Sequence, residues 1–178
     1  MTPRFVVICA AALFAKCAFA QVPPALVAVD QTTVATYHAE GAQIYECMAA
    51  TDGKLSWVFR EPIATLLFKQ KTVGRHYAGP TWELSDGSAV VGKAAASVPG
   101  ATANDIPWLK LDVVSKHGNG LLALSTTVQR LNTRGGVLQG ACDQAGSFRS
   151  IAYSADYSFL TNESLDLTGS IPGSHQTR

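Results

Sequence analysis

The chain has 178 residues, of which 15% are charged, and a formal net charge of +1. Its size therefore fits one domain that can bury a substantial core. Proteins that bind nucleic acids usually show a strong basic excess or a clustered basic stripe, and this sequence has neither. We expect no nucleic-acid partner.

The first segment, residues 1–20, is predicted to be a cleavable signal peptide. Arg4 precedes an apolar run, and the small residues Ala18 and Ala20 stand just before Gln21, as at an export cleavage site. The run is shorter than the roughly 20 residues that span a bilayer. Polar or turn residues interrupt every later apolar run, so no integral membrane segment is expected after cleavage. We predict a secreted or periplasmic protein; an uncleaved membrane anchor is the alternative.

The rest of the chain is predicted to comprise a lead-in over residues 21–33, a β domain over 34–160 and a flexible tail over 161–178. Alternation of apolar and polar residues, typical of half-buried strands, dominates the β domain. Residues 64–69 could form a strand or a brief helix. The other predicted strands are 43–48, 55–60, 81–85, 88–92, 106–116, 121–132 and 151–160. Many short strands with little helix predict an all-β fold, a single antiparallel β-sandwich or barrel-like domain.

The dipeptide Asp86-Gly87 predicts a hairpin with a two-residue turn, because Asp-Gly accepts the positive φ angles that a type I′ turn needs. The strand pairs expected from that turn are Leu84 with Ala89 and Trp82 with Val91. Trp82 is then predicted to lie in the core.

Two cysteines, Cys47 and Cys142, remain after the predicted signal is removed. In an exported protein such a pair most simply forms one disulfide. A redox-active or metal-binding pair is the alternative, but the sequence has no Cys-x-x-Cys and no histidine near either residue. We predict no metal and no cofactor.

Gly118-Asn-Gly120-Leu-Leu-Ala123 spells the dinucleotide-binding pattern G-x-G-x-x-A. That pattern works only before a helix whose N-terminus holds the pyrophosphate. The residues that follow favour a strand, so we interpret these glycines as a hairpin turn.

The most unusual stretch contains His76 and Tyr77 between Gly74 and Gly79-Pro80. The glycines and the proline suggest an irregular backbone, and an imidazole beside aromatic rings can bind a ligand or relay protons. The alternative is that His76 caps a turn.

A second candidate lies at Asp105 and Trp108. Alternation places Trp108 with polar neighbours, so it would be partly exposed and available for binding; a tryptophan covered by a loop is the alternative. We therefore predict a ligand site built from His76, Tyr77, Trp108 and Asp105.

Six segments occur in the order of a known family: 43–47, 57–59, 74–83, 86–92, 105–109 and 128–136 followed by Cys142. They resemble a family of exported bacterial and fungal proteins defined as a domain of unknown function. The resemblance implies one exported domain and supplies no catalytic residues. Some fungal members carry the name malate dehydrogenase, to which this sequence gives no support because it lacks a working dinucleotide site.

These observations favour a non-catalytic exported binding or surface-associated module. Its partner would be a small molecule, a polysaccharide or another envelope component. The alternative is a secreted enzyme with an unrecognised site around His76, Tyr77 and a carboxylate such as Glu83 or Asp105. Whether the protein is an enzyme stays open at this point, with the residues favouring a binding role.

Export can be tested directly. Mass spectrometry of the exported protein should find Gln21 as its first residue, because cleavage is predicted after Ala20. Exported material that retains Met1 would contradict the prediction.

Overall fold

Eight antiparallel strands form one sheet that closes into a barrel. The computed structural model describes residues 21–162, so the predicted signal peptide and the tail beyond Asn162 lie outside the described residues. The strands are β1 (Thr32–Ala49), β2 (Leu55–Phe68), β3 (Lys71–Tyr77), β4 (Thr81–Leu84), β5 (Ala89–Val98), β6 (Trp108–His117), β7 (Thr127–Gly135) and β8 (Phe148–Thr161). Two short 3-10 helices, η1 (Pro24–Leu26) and η2 (Leu121–Leu124), accompany them. The all-β prediction is confirmed, and of its two alternatives the barrel is the one found.

Each strand pairs with its neighbour in sequence, and β1 closes the ring against β8. The predicted alternation in β8 is confirmed, because Tyr153, Ala155, Tyr157 and Phe159 are all buried in the barrel interior. Residues 64–69 form strand rather than helix up to Phe68. Within residues 21–162, no helix has the length and apolar character needed to cross a membrane.

The β4–β5 hairpin lies where Asp86-Gly87 predicts it, but the predicted register is wrong by one residue. Trp82 pairs with Val90 rather than Val91, and the backbone N–H of Leu84 donates to the carbonyl of Ser88 at 2.9 Å. The turn is therefore a three-residue loop with Gly87 at a φ of +82°. The Asp86 carboxylate accepts hydrogen bonds from the backbone N–H and the hydroxyl of Ser88, which favours this longer loop.

The strand predicted over residues 121–132 is also wrong at its start. Residues Leu121–Leu124 form η2 instead, and β7 begins only at Thr127. Tertiary hydrogen bonds cause this difference from the predicted strand. The Leu121 N–H donates to the Asp86 carboxylate at 2.9 Å, and the Leu122 N–H donates to the Ser88 hydroxyl at 3.1 Å. These bonds fold the segment inward, so Leu122 is fully buried at one end of the barrel. The strand predicted from residue 106 begins two residues later, at Trp108.

The two ends of the barrel interior differ. The end that holds η2 is filled by large apolar side chains: Tyr37, Leu66, Leu84, Val90, Leu122 and Phe159. The opposite end is bounded by the β3–β4 turn, the β5–β6 loop and the β7–β8 loop. Side chains do not fill that end, and it contains a cavity.

The segment before β1 packs on the outside of the barrel. Leu26 in η1 is fully buried, and its carbonyl accepts a 2.7 Å hydrogen bond from the Gln129 side chain. η1 packs mainly on β5 and reaches β7 through this bond. Strand β7 buries residues on both of its faces, including Gln129 and Leu131 alongside the inward-facing Val128.

The predicted disulfide between Cys47 and Cys142 is present. It joins the end of β1 to the β7–β8 loop, and backbone hydrogen bonds accompany it, such as that from the Trp57 N–H to the Gly140 carbonyl at 3.1 Å. The disulfide therefore holds the β7–β8 loop against the β1–β2 hairpin, beside the end of the barrel that contains the cavity.

Replacing both cysteines by serine should lower the free energy of unfolding. The bond closes a loop with a sequence separation of 95 residues, for which chain entropy gives a stabilisation of about 4 to 5 kcal/mol. Urea denaturation of the two proteins measures the difference. The matched control is the same experiment under reducing conditions, where the difference should vanish; equal stabilities without reductant would contradict the prediction.

Candidate functional site

The unfilled end of the barrel contains a cavity of about 650 Å³. It extends from the interior to the surface, because its lining combines buried with exposed residues. The buried residues that define its floor and walls are Gln43, Pro62, His76, Trp82, Leu111 and Tyr157, and the exposed residues at its mouth include Phe59, Arg60, Pro80, Lys93, Pro107 and Gln139.

A stack of two rings forms the floor of the cavity. His76 in β3 pairs across the sheet with Trp82 in β4, and the two rings lie parallel with centroids 4.5 Å apart. Tyr157 packs against both rings, at 5.0 Å from His76 and 5.2 Å from Trp82. Gly92 leaves room for the indole, since a Cβ there would come within 3.0 Å of it. This cluster separates the filled end of the barrel from the cavity.

His76 is a neutral, oriented side chain. Its Nδ1 lies 2.8 Å from the carbonyl of Thr81, so Nδ1 carries the proton and Nε2 is left as an acceptor. Burial and, to a smaller extent, the charge of Arg130 lower the pKa of His76 to about 4, against the raising effect of the Thr81 bond. The alternative expected from the sequence, that His76 caps a turn, matches this bond to the residue after the β3–β4 turn.

Three cationic side chains line the cavity, of which Arg60 is paired with Glu46 and Glu61. Arg130 in β7 lines it and pairs across the sheet with Tyr157, while Arg60 and Lys93 lie at the mouth. The cavity-lining residues include no aspartate or glutamate. Burial raises the pKa of Tyr157, against the lowering effect of the Arg130 charge. The cavity therefore combines apolar and aromatic walls with a fixed positive charge.

Two buried hydrogen-bond donors that belong to lining residues have no partner among the described residues. They are Nε2 of Gln43 and Nε1 of Trp82, on side chains that are 2% and 1% exposed. Buried donors are almost always paired in native structures. Both residues line the cavity, and each donor is therefore a candidate to bind a hydrogen-bond acceptor there.

The predicted site residues do not converge. His76 and Tyr77 are neighbours in β3, so their side chains alternate, and the expected irregular backbone is wrong for both. Tyr77 lies on the outer face, where its hydroxyl donates to Glu83 at 2.8 Å. Hydrogen bonds from Tyr77 and then from Arg75 lower the pKa of Glu83.

Trp108 and Asp105 do not line the cavity, although Ile106 and Pro107 between them do. Trp108 is half-buried and is not a lining residue. The Asp105 carboxylate accepts hydrogen bonds from the Thr102 side chain at 2.7 Å and from the Gly135 backbone at 2.6 Å, and these bonds lower its pKa. Asp105 thus fastens the β5–β6 loop to the end of β7. The ligand-binding roles given to these two residues and to Tyr77 stay predictions.

Sequence reasoning missed Arg130 and Gln43. The available signal was their inward position in the alternation of β7 and β1, shared with Val128 and Tyr45. A charged or amide residue among inward apolar positions indicates a polar group inside the barrel. For β7 this signal can be used only when it is known which of its two buried faces points inward.

Comparison with known proteins yields one family. A family model described as a protein of unknown function (DUF3455) matches residues 28–71 and 67–161. No curated protein matches the chain, and no solved structure matches it. The matched residues cover every strand of the barrel.

The low pKa of His76 makes a prediction about stability and pH. Between pH 6.5 and about 4 the unfolded chain binds a proton that the folded protein excludes. Acidification through this window should therefore destabilise the fold, by up to about 3 kcal/mol from this group. His76→Asn keeps a donor near Thr81 but cannot titrate, so its stability should fall less steeply.

Urea unfolding across this pH range measures the slope. The matched control is His117→Asn at an exposed position, which should retain the wild-type slope. An unchanged slope in His76→Asn would show that the histidine is not held neutral.

Proposed function

This chain belongs to the DUF3455 family of proteins of unknown function, and we propose that it is an exported, non-catalytic binding protein that holds a small, mainly apolar molecule inside its barrel. The observation that carries the proposal is the cavity of about 650 Å³, floored by stacked aromatic rings and open at one end of the barrel. A small molecule, rather than a polysaccharide or another envelope component, is the occupant that this shape favours.

The size of the cavity supports this choice. Small-molecule sites are concave, mostly apolar and about 300 to 1,000 Å³ in volume. Eight-stranded barrels have interiors that side chains can fill or that can hold one small ligand. In this barrel side chains fill one end only, which leaves a binding volume on a rigid scaffold.

The chemistry of the walls supports it further. Leu109, Leu111, Ile106 and Val137 provide apolar contact area, while Trp82 presents a flat ring held by the His76 stack. A ligand that buries its apolar surface here gains the hydrophobic contribution without first ordering the side chains of the floor.

The enzyme alternative requires His76 and a carboxylate to meet. The cavity-lining residues include no aspartate or glutamate, Glu83 is paired with Arg75 and Tyr77 on the outer face, and Asp105 is engaged in a loop. This arrangement favours binding over general acid–base chemistry at His76.

An extracellular or periplasmic location fits the same proposal. The Cys47–Cys142 disulfide is the kind of bond that persists in oxidising compartments. It also holds the β7–β8 loop, whose residues Val137, Leu138 and Gln139 line the cavity.

Binding of an apolar probe tests the proposal. The neutral fluorophore phenylnaphthylamine should bind the purified protein saturably, with one site per chain, because the cavity excludes water from an apolar ring system. Ala94→Trp, at the rim of the cavity, should weaken binding roughly tenfold or more by occupying the volume. Fluorescence titration gives both affinities.

The matched control is Ala152→Trp, the same change at an exposed position of β8 that does not line the cavity. It should bind the probe as the wild type does. If the folded wild type binds no apolar probe, or if both variants bind equally well, the cavity is not the site and the proposal is wrong.

A further inference from the structure

Resting on the proposed function, we infer that the bound molecule is a carboxylic acid whose carboxylate lies inside the barrel, where Arg130 and Gln43 bind it. The three observations behind this inference are a guanidinium without an acidic partner, unpartnered donors on residues that line the same cavity, and a cavity lining without negative charge.

Arg130 is the first observation. Its Nε donates to the carbonyl of Pro107 at 3.0 Å, and its cross-strand neighbour is the neutral phenol of Tyr157. Within residues 21–162, every ion pair joins other residues, so no Asp or Glu neutralises Arg130. A guanidinium has five N–H donors. The Pro107 bond uses one of them, and a side-chain hydrogen bond to Tyr157 uses another. A ligand oxygen can meet those that remain.

The unpartnered donors are the second observation. Gln43 and Trp82 line the same cavity as Arg130, and each is almost fully buried with a donor nitrogen that no described residue meets. A carboxylate has two oxygens that can accept about four hydrogen bonds. It can satisfy an amide donor and a guanidinium together, which a ligand without acceptors cannot do.

The charge of the lining is the third observation. Arg60 and Lys93 stand exposed at the mouth, and no lining residue is acidic. Arg60 is paired with Glu46 and Glu61, whereas Lys93 and Arg130 have no ion pair among the described residues. Unpaired cations at a cleft with apolar walls raise the local concentration of anions and speed their entry. His76 adds no charge near neutral pH, because burial lowers its pKa to about 4.

A carboxylate fits better than a phosphate. The planar fork of a guanidinium matches the two oxygens of a carboxylate, and the half-buried guanidinium of Arg130 balances one negative charge. A dianionic phosphate would bring a second charge into an apolar enclosure, where an unbalanced charge is strongly disfavoured.

The test compares three probes with the same ring system: naphthoate, methyl naphthoate and naphthylmethanol. Wild-type protein should bind naphthoate roughly ten- to a hundredfold more tightly than the ester or the alcohol, the size of a charge-assisted hydrogen bond. Decanoate, measured beside them, distinguishes an aliphatic from an aromatic acid. Calorimetric titration at constant pH gives the affinities.

Arg130→Gln should abolish the preference for the acid while retaining ester binding, and Arg130→Lys, which keeps a cation, should retain part of it. The matched control is Arg134→Gln, the same substitution on the same strand at an exposed position outside the cavity, and it should keep the full preference. Circular dichroism confirms that each variant is folded.

The outcomes separate this inference from the proposed function. Equal wild-type affinity for acid, ester and alcohol would overturn the carboxylate and leave an apolar binding protein. A preference for acid that survives in Arg130→Gln would overturn the role of Arg130. If neither phenylnaphthylamine nor any of the three naphthyl probes binds, the proposed function itself is overturned.

Discussion

The stack of His76 on Trp82 is the contact on which the organisation of the barrel depends. The two residues are cross-strand partners whose rings lie 4.5 Å apart and nearly parallel. Tyr157 and Phe159 from β8, on the other side of the ring of strands, pack against the indole. The stack therefore joins opposite walls of the barrel, in addition to the hydrogen bonds between neighbouring strands.

The stack also separates the part of the barrel interior that side chains fill from the part that contains the cavity. On one side, Leu122 and other apolar side chains fill the interior. On the other, the lining residues surround a cavity whose floor is held by packing on both of its edges. Because buried rings have few alternative rotamers, the floor keeps its shape without a ligand. A preformed site of this kind lowers the ordering cost of binding.

The distribution of charge in the barrel follows the same division between the filled end and the cavity. Desolvation keeps His76 neutral, whereas Arg130 stays charged because a guanidinium does not lose its proton in proteins. The acidic residues near these strands face outward: Glu83 is paired with Arg75, and Asp156 is paired with His38. The interior therefore contains the positive charge of Arg130 and hydrogen-bond donors that have no acceptor among the described residues.

Local pattern was enough to predict most of the strands, the inward face of β8, the burial of Trp82 and the disulfide, but not β3, which falls in the stretch expected to be irregular. Each of these depends on alternation or on counting cysteines. The hairpin register and the start of β7 could not be predicted, because hydrogen bonds from Ser88 and from η2 to the Asp86 carboxylate decide them. Of the predicted site residues only His76 lines the cavity, and the irregular backbone expected there is a regular strand.

The inward position of Arg130 is not predictable because β7 is buried on both faces, which hides its alternation. Only barrel closure brings this residue beside His76 and Gln43. This proximity arises from the pairing of strands that are far apart in sequence, so it cannot be predicted from a local sequence pattern.

The central claim is that a ligand occupies the cavity above Trp82. The chain has three tryptophans, so its indole N–H groups give three separate proton NMR signals, assignable with tryptophan-to-phenylalanine variants. On saturation with naphthoate, the signal of Trp82 should shift, since its Nε1 lies unpartnered in a lining residue. Those of Trp57 and Trp108, outside the cavity, should stay in place. A shift at Trp57 or Trp108 with Trp82 unchanged would contradict the account.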